Sequence, residues 1–350
     1  MSAPPPTTSR LLLSVRLHAR LLTLWMAELW RQDRTSPDQG LAITAGEVER
    51  LLGDTADLEA ARRAFLAHDP EAVRLEQAAV AAERALASDP TWRRLISGFG
   101  LSEPEADLLA LALAAAWDPG LARAYAYLQD DSQALNPTAL LASRMFRRSP
   151  TTPRSLLRWR LAWPLEGQTP GLLGTAWTAD PAVALSLGAE GWRDPGLGAA
   201  VRLVSALEIA DWPVLHSTAL AELTAAGKSA VGPVQLDLCG AEGSGRQTLA
   251  MRFAQTVERP LLVVDTARLL ADPARKQADL LTGVLRMARF TGAVTFWRDA
   301  QLLPVEAWKP ARELIDLTLC AWPQAGPTGA GGGTRQVALG PIQTRDRLKV

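Results

Sequence analysis

The stretch VQLDLCGAEGSGRQTLA, Val234 to Ala250, runs from an apolar strand through a glycine-rich turn into a helix-forming segment. Such a turn lets backbone N–H groups converge at a helix N-terminus, where the helix dipole also favours an anion. Gly240, Gly243 and Gly245 stand where a phosphate loop requires glycine. A full phosphate loop then supplies a lysine for the β- and γ-phosphates and a hydroxyl for Mg2+. In this chain Arg246 and Gln247 hold those places. Arginine keeps the charge but is longer and planar, so the exchange is not neutral. Thr248 does not replace the missing hydroxyl, because one step along a helix rotates a side chain by about 100°. The candidate cofactor-binding residues are therefore Gly240, Gly243, Ser244, Gly245, Arg246, Gln247 and Thr248. ATP is the cofactor such a loop would take, with the usual grip on Mg2+ weakened.

Downstream, PLLVVD, a helix over 274–289, AVTFW and a helix over 304–320 continue the alternation, which predicts a parallel sheet with right-handed crossovers. A hydrolytic site wants an acid at the end of the AVTFW strand. That strand runs instead into Arg298, Asp299, Ala300 and Gln301, so the one acid falls a place late, and the next is Glu306. No catalytic residue and no metal ligand is assigned. His18, His68 and His216 lack metal-ligand spacing. The glycine-rich segment from Ala325 has no periodicity and reads as disordered. Three strands make an unfinished sheet, which suggests a truncated or frame-altered product whose open edge would favour assembly.

The N-terminal half is punctuated differently. After a Pro-, Ser- and Thr-rich start over 1–9, expected to be disordered, one long amphipathic helix is expected. Ser36-Pro37, Asp69-Pro70, Asp89-Pro90, Asp118-Pro119 and Asn136-Pro137 each set a capping side chain before a proline, and each predicts a helix start. Thr44 with Glu47 and Ser102 with Glu105 have capping-box spacing. About seven helices are expected over 10–147. Short aromatic-bearing runs between Pro150 and Trp177 predict a hairpin. Helices over 101–117, 118–130 and 137–147 followed by that hairpin describe a winged helix.

The 37 basic and 37 acidic side chains balance, so attraction to nucleic acid or anionic lipid must come from a local patch. Arg144, Arg147, Arg148, Arg154, Arg158 and Arg160 fall within 17 residues that contain no acid. On a winged helix they would run from the recognition helix into the wing, suited to a nucleic-acid backbone or an acidic partner. Balanced charge favours a solvated face or a docking surface for an acidic partner over a nucleic-acid contact. Tyr125 and Tyr127 read as packing residues, and most of the 12 tryptophans as core anchors. Cys239 and Cys320, without CxxC spacing, read as buried reduced thiols of a cytoplasmic protein. The five-residue apolar run before Arg16 is too short for an export signal, and Leu108 to Trp117 is half the length of a membrane span. No membrane association is expected.

The stretches LISGFGLSEPEADLLALALAAAWDPGLARAYAYLQDD and NPTALLASRMF, with ITAGEVERLLG before them and the glycine loop after, resemble bacterial AAA-family ATPases with an N-terminal variant winged-helix domain. Some of these are encoded beside extracellular contractile injection systems. The resemblance implies protein remodelling by a ring, with Gly240, Gly243, Gly245, Arg246 and Thr248 at the phosphate loop and Arg298 to Gln301 at the second motif. The loop lysine, the paired acids, the polar sensor, the arginine finger and the helical lid that it also implies are not found.

The resulting fold class is α+β, predominantly helical: an N-terminal helical and winged-helix region, then a partial α/β P-loop, AAA-like domain. The expected divisions are 1–9 disordered, 10–100 helical, 101–178 winged-helix-like, 179–232 connecting, 233–323 partial P-loop domain and 324–350 disordered. Three readings stay open: a non-hydrolysing nucleotide-binding or adaptor protein, an ATP-hydrolysing remodelling enzyme, and a DNA-binding regulator. The first expects a protein partner, either another AAA subunit or an injection-system component.

Overall fold

The computed structural model describes residues 6–33, 48, 52–53, 55–188, 194–205, 208, 215–229, 232–271, 276–304, 317–324 and 335–342. The chain divides into two units, Met1–Glu190 and Gly191–Val350.

The first unit is built on helices whose starts are set by local chemistry. α1 (Pro6–Asp33) begins inside the segment expected to be disordered, and Thr7 and Thr8 are buried. The Thr7 hydroxyl donates to Asp89 at 2.8 Å, a contact that spans 82 residues and leaves no local trace. After α2 (Thr55–His68), Asp69 and Asp89 cap α3 (Pro70–Ala87) and α4 (Pro90–Phe99), each accepting two backbone N–H groups with proline in the first turn. Ser102 and Glu105 form the capping box of α5 (Glu103–Trp117), and Asp118 caps α6 (Pro119–Leu128). Each such cap is worth about 0.5–2 kcal/mol. Asn136-Pro137 does not open a helix. α7 (Ala139–Phe146) starts two residues later, where Thr138 accepts from the Leu141 N–H. Ser36-Pro37 and Thr44 with Glu47 lie outside the described residues.

α5 is the centre of this unit. Leu108 to Ala114 are all buried, and each buried leucine contributes about 1.5–3 kcal/mol. α1 packs along α3 and also touches α5, α6 and α7. The Tyr125 hydroxyl donates to the Leu111 carbonyl at 3.1 Å, so that tyrosine is core, whereas Tyr127 is 44% exposed and meets the edge of Trp30. After the short α8 (Arg154–Arg158), β1 (Ala162–Pro164) and β2 (Trp177–Ala179) pair antiparallel, and Ala176 bridges to Thr138. Four helices, α5 to α8, thus precede this hairpin, where three were expected. α9 (Pro181–Gly188) closes the unit.

The second unit is a six-stranded sheet in the order β3-β5-β6-β7-β4-β8. Its strands are β3 (Val201–Val204), β4 (Val234–Cys239), β5 (Leu261–Asp265), β6 (Val294–Arg298), β7 (Leu317–Trp322) and β8 (Arg335–Ala338). β3 is an antiparallel edge and the other pairs are parallel. Among the described residues its α-helices are α10 (Ser217–Ser229), α11 (Arg246–Thr256), α12 (Thr266–Leu269) and α13 (Gln277–Thr291). Alternate strand residues, among them Leu236, Leu238, Phe296, Leu319 and Val337, join Leu223 of α10 and Phe253 of α11 in one core.

The structure also corrects three expectations about the later part of the chain. Residues 179–232 are not a connector, because they supply α9 to the first unit and β3 and α10 to the second. The expected helix ending at 320 is contradicted over Leu317–Trp322, where all six residues are buried in a strand. The tail is ordered over 335–342, and β8 extends the sheet beyond β4. The sheet is therefore not a three-stranded stub.

Candidate phosphate-loop site

β4 lies inside the sheet, between β7 and β8. From β4 the chain crosses to β5, fills back through β6 and β7, and then places β8 on the opposite side. That reversal is a topological switch point, the kind of place at which open α/β sheets bind ligands. The glycine loop leaves β4 at that place. The Gly240 N–H donates to the Trp322 carbonyl at 3.0 Å, and the Leu339 N–H donates to the Cys239 carbonyl at 2.7 Å, so β7 and β8 fix the loop base from both sides.

Two glycines have steric reasons. A Cβ on Gly240 would lie 2.7 Å from Ser244 Oγ and 2.9 Å from the Leu339 carbonyl oxygen. Gly245 is the N-cap of α11 at φ 83°, and a Cβ there would meet Leu215 and Ile342 at 3.1 and 3.2 Å. The first-turn N–H groups of α11 have no partner within their own helix, and Gly245 offers no side-chain cap. Ser244 is 4% exposed and its Oγ has no hydrogen-bond partner; the Nη1 of half-buried Arg246 is also buried and unpartnered. An unpaired buried polar atom costs about 1–3 kcal/mol. Gln247 is half-buried and Thr248 buried beside them.

The structure adds residues that no motif announced. His216 Nε2 lies 2.8 Å from the Ser244 carbonyl, which can only accept, so the Nε2–H tautomer donates. Leu215 and Ile342 crowd the same turn. These contacts join the segment before α10, the loop and the segment after β8, and sequence spacing carries no signal of them.

At the end of β6, Arg298 faces Asp265 of β5, Nη1 to Oδ2 3.7 Å, and Arg268 is 3.5 Å from the same oxygen. Asp299 stands at φ 52° and opens a 3-10 turn. The acid-rich end implied by the family resemblance is thus an arginine paired to the neighbouring strand. Among the described residues, no group of three His, Cys, Asp or Glu side chains could hold a metal. Cys239 and Cys320 are buried free thiols.

The six arginines of the run do not form one surface. Arg147 pairs with Glu76, and Arg148 pairs with Glu83, with Glu103 at 3.1 Å and with Asp107 at 2.8 Å. Arg144 is half-buried, and its Nη1 donates to the Leu128 carbonyl. Burial lowers the pKa of Arg144 from its usual value. Arg154 and Arg158 are exposed, Arg158 beside Trp159, while Arg160 stacks over Trp163 at 5.2 Å. The missed signal is the acids of α3 and α5, which are distant in sequence and close in space.

Among the described residues, no helix is long and apolar enough to cross a membrane. No curated protein matches the chain. A solved structure of C. elegans PCH-2 aligns at 11% identity over 41% of this chain and 49% of that one, with a TM-score of 0.28. Residues 11–154, which span α1 to the start of α8, match the family described as winged helix domain, variant.

Proposed function

We propose that this chain is a non-hydrolysing, nucleotide-responsive adaptor derived from winged-helix AAA-family ATPases, acting through protein partners. The observation that carries the reading is the state of the loop. Ser244 Oγ and Arg246 Nη1 are buried without partners at the N-terminus of α11. Those donors and the first-turn N–H groups suit a phosphate. The same residues do not suit hydrolysis. Gln247 offers no hydroxyl for Mg2+, and Arg298 stands where an acid would hold the metal, its charge engaged by Asp265. ATP would be held by the loop backbone and Arg246, and what it supplies when bound is negative charge that orders the turn. His216 and Leu215 would transmit that ordering to α10.

Phosphate release from ATP by the purified chain is the test. No turnover above that of an Arg246→Ala control is expected with Mg2+ present. Turnover abolished by Arg246→Ala would establish the rival remodelling enzyme instead.

A further inference from the structure

The hairpin of the first unit presents leucines to solvent. Leu172 and Leu173 lie between Gly171 and Gly174 in the loop that joins β1 to β2, and both are exposed, Leu172 at 65%. The Leu140 N–H donates to the Leu173 carbonyl at 3.0 Å, so the start of α7 sits against that loop, and the Leu140 side chain is exposed too. Leu135, between α6 and α7, is a fourth exposed leucine. Single exposed leucines are ordinary. A group gathered at one hairpin and rimmed by polar residues marks an interaction site. The rim is acidic. Neither 129–143 nor 161–180 contains lysine or arginine, and the exposed acids there are Asp130, Asp131 and Glu166. Asp130 attracts Arg144, whereas Asp131 and Glu166 form no ion pair among the described residues.

α1 carries the opposite chemistry on its outer face. Arg10, Leu13, Arg16 and Arg20 are exposed and Leu17 is half-buried. Their steps of three and four residues set all five on one side of a helix. Leu13, in the middle of the stripe, is 52% exposed. The helix holds no acid before Glu28. Arg10 pairs with Asp89 and Arg16 with Asp118, yet both side chains stay open to solvent, and Arg20 forms no ion pair among the described residues. α1 packs on α3, α5, α6, α7 and α9, and that packing leaves this stripe uncovered.

We propose that α1 of one copy of this chain docks on the hairpin of a second copy, with Leu13 and Leu17 against Leu140, Leu172 and Leu173, and the arginines beside Asp131 and Glu166. A helix with apolar anchors at this spacing suits an exposed apolar surface, and opposite charges on its flanks set the orientation. Nucleic acid and anionic lipid would meet like charge at the hairpin. The contact is heterologous. Each copy offers a helix to one neighbour and a hairpin to the next, so copies join head to tail in a ring or a filament. It is made by the first unit alone and does not depend on the phosphate loop.

Sedimentation velocity of the full chain over a range of concentrations, without nucleotide, tests it. Wild type is expected to form species larger than a monomer whose share grows with concentration. Leu13→Ser spoils the helix and the double variant Leu172→Ser, Leu173→Ser spoils the hairpin; each alone is expected to stay monomeric. Mixed at the concentration where wild type assembles, the two are expected to give a one-to-one dimer and nothing larger, because each supplies the surface the other lacks. Leu302→Ser, at an exposed leucine of the second unit, is expected to assemble as wild type does. A monomeric wild-type chain, undiminished assembly by either leucine variant, loss of assembly in Leu302→Ser, or a mixture that stays monomeric would each overturn the proposal. Should a leucine variant fail to fold by circular dichroism, Arg20→Glu takes the place of Leu13→Ser and Asp131→Arg that of the double variant, with the same outcomes deciding.

Discussion

At Gly245 a single hydrogen stands where any other residue would place a carbon. The backbone is left-handed at φ 83°, and Leu215 and Ile342 crowd the position. Gly245→Ala is expected to cost about 1–3 kcal/mol of stability in urea unfolding, from backbone strain and the shift of both neighbours. Asp89 works in the other unit. It caps α4, accepts from Thr7 and pairs with Arg10 at 2.9 Å. Burial raises its carboxyl, but the N–H groups of Trp92 and Thr91, the Thr7 hydroxyl and Arg10 together hold it below its ordinary value. Asp89→Ala should cost about 1–3 kcal/mol, more than loss of a cap alone. The Asp-Pro caps were legible in the sequence because a cap bonds two or three residues ahead. His216 was not, because its partner lies 28 residues away.

The charge cluster on Arg148 gives a pH signature with two signs. Asp107 holds its proton to about 7 in the folded chain, whereas an unfolded aspartate releases it near about 4. Its contribution to stability therefore declines as pH rises from about 4 to 7. Glu83, held at about 2 when folded, contributes stability that is present above its unfolded value near about 4.3 and lost as pH falls toward 2. Urea midpoints measured across this range should show the decline toward neutrality flattened in Asp107→Asn.

Among the strands, β7 and β8 decide whether the loop has a complete base. Neither was legible in the sequence, for different reasons. LTLCAW is apolar apart from Thr318 and buried on both faces, and such a run has the same appearance in a buried helix. RQVA buries only Val337, comes after a glycine-rich stretch and pairs with β4 in parallel, far away in sequence. Local pattern does not report non-local pairing. β4, β5, β6 and the helices after β4 and β5 were legible because short apolar runs alternate there with helix-forming segments. Val337→Ala removes a residue packed in the sheet core. A loss of about 1–3 kcal/mol is expected, and because the Leu339 carbonyl oxygen crowds Gly240, weaker nucleotide-analogue binding should accompany it.

Across the full chain, balanced charge and the internal pairing of Arg147 and Arg148 tie those arginines to the helical unit. Replacing both by alanine should lower stability and leave any DNA binding, and its salt dependence, unchanged. The proposed function depends above all on a loop that holds phosphate through its backbone and Arg246 without needing Mg2+. Titration with a fluorescent ATP analogue, with and without Mg2+ and beside Arg246→Ala, is the decisive experiment. Saturable binding of similar strength in both conditions, lost in the variant, is the predicted result. No binding by a folded chain, or binding that requires Mg2+, would contradict it.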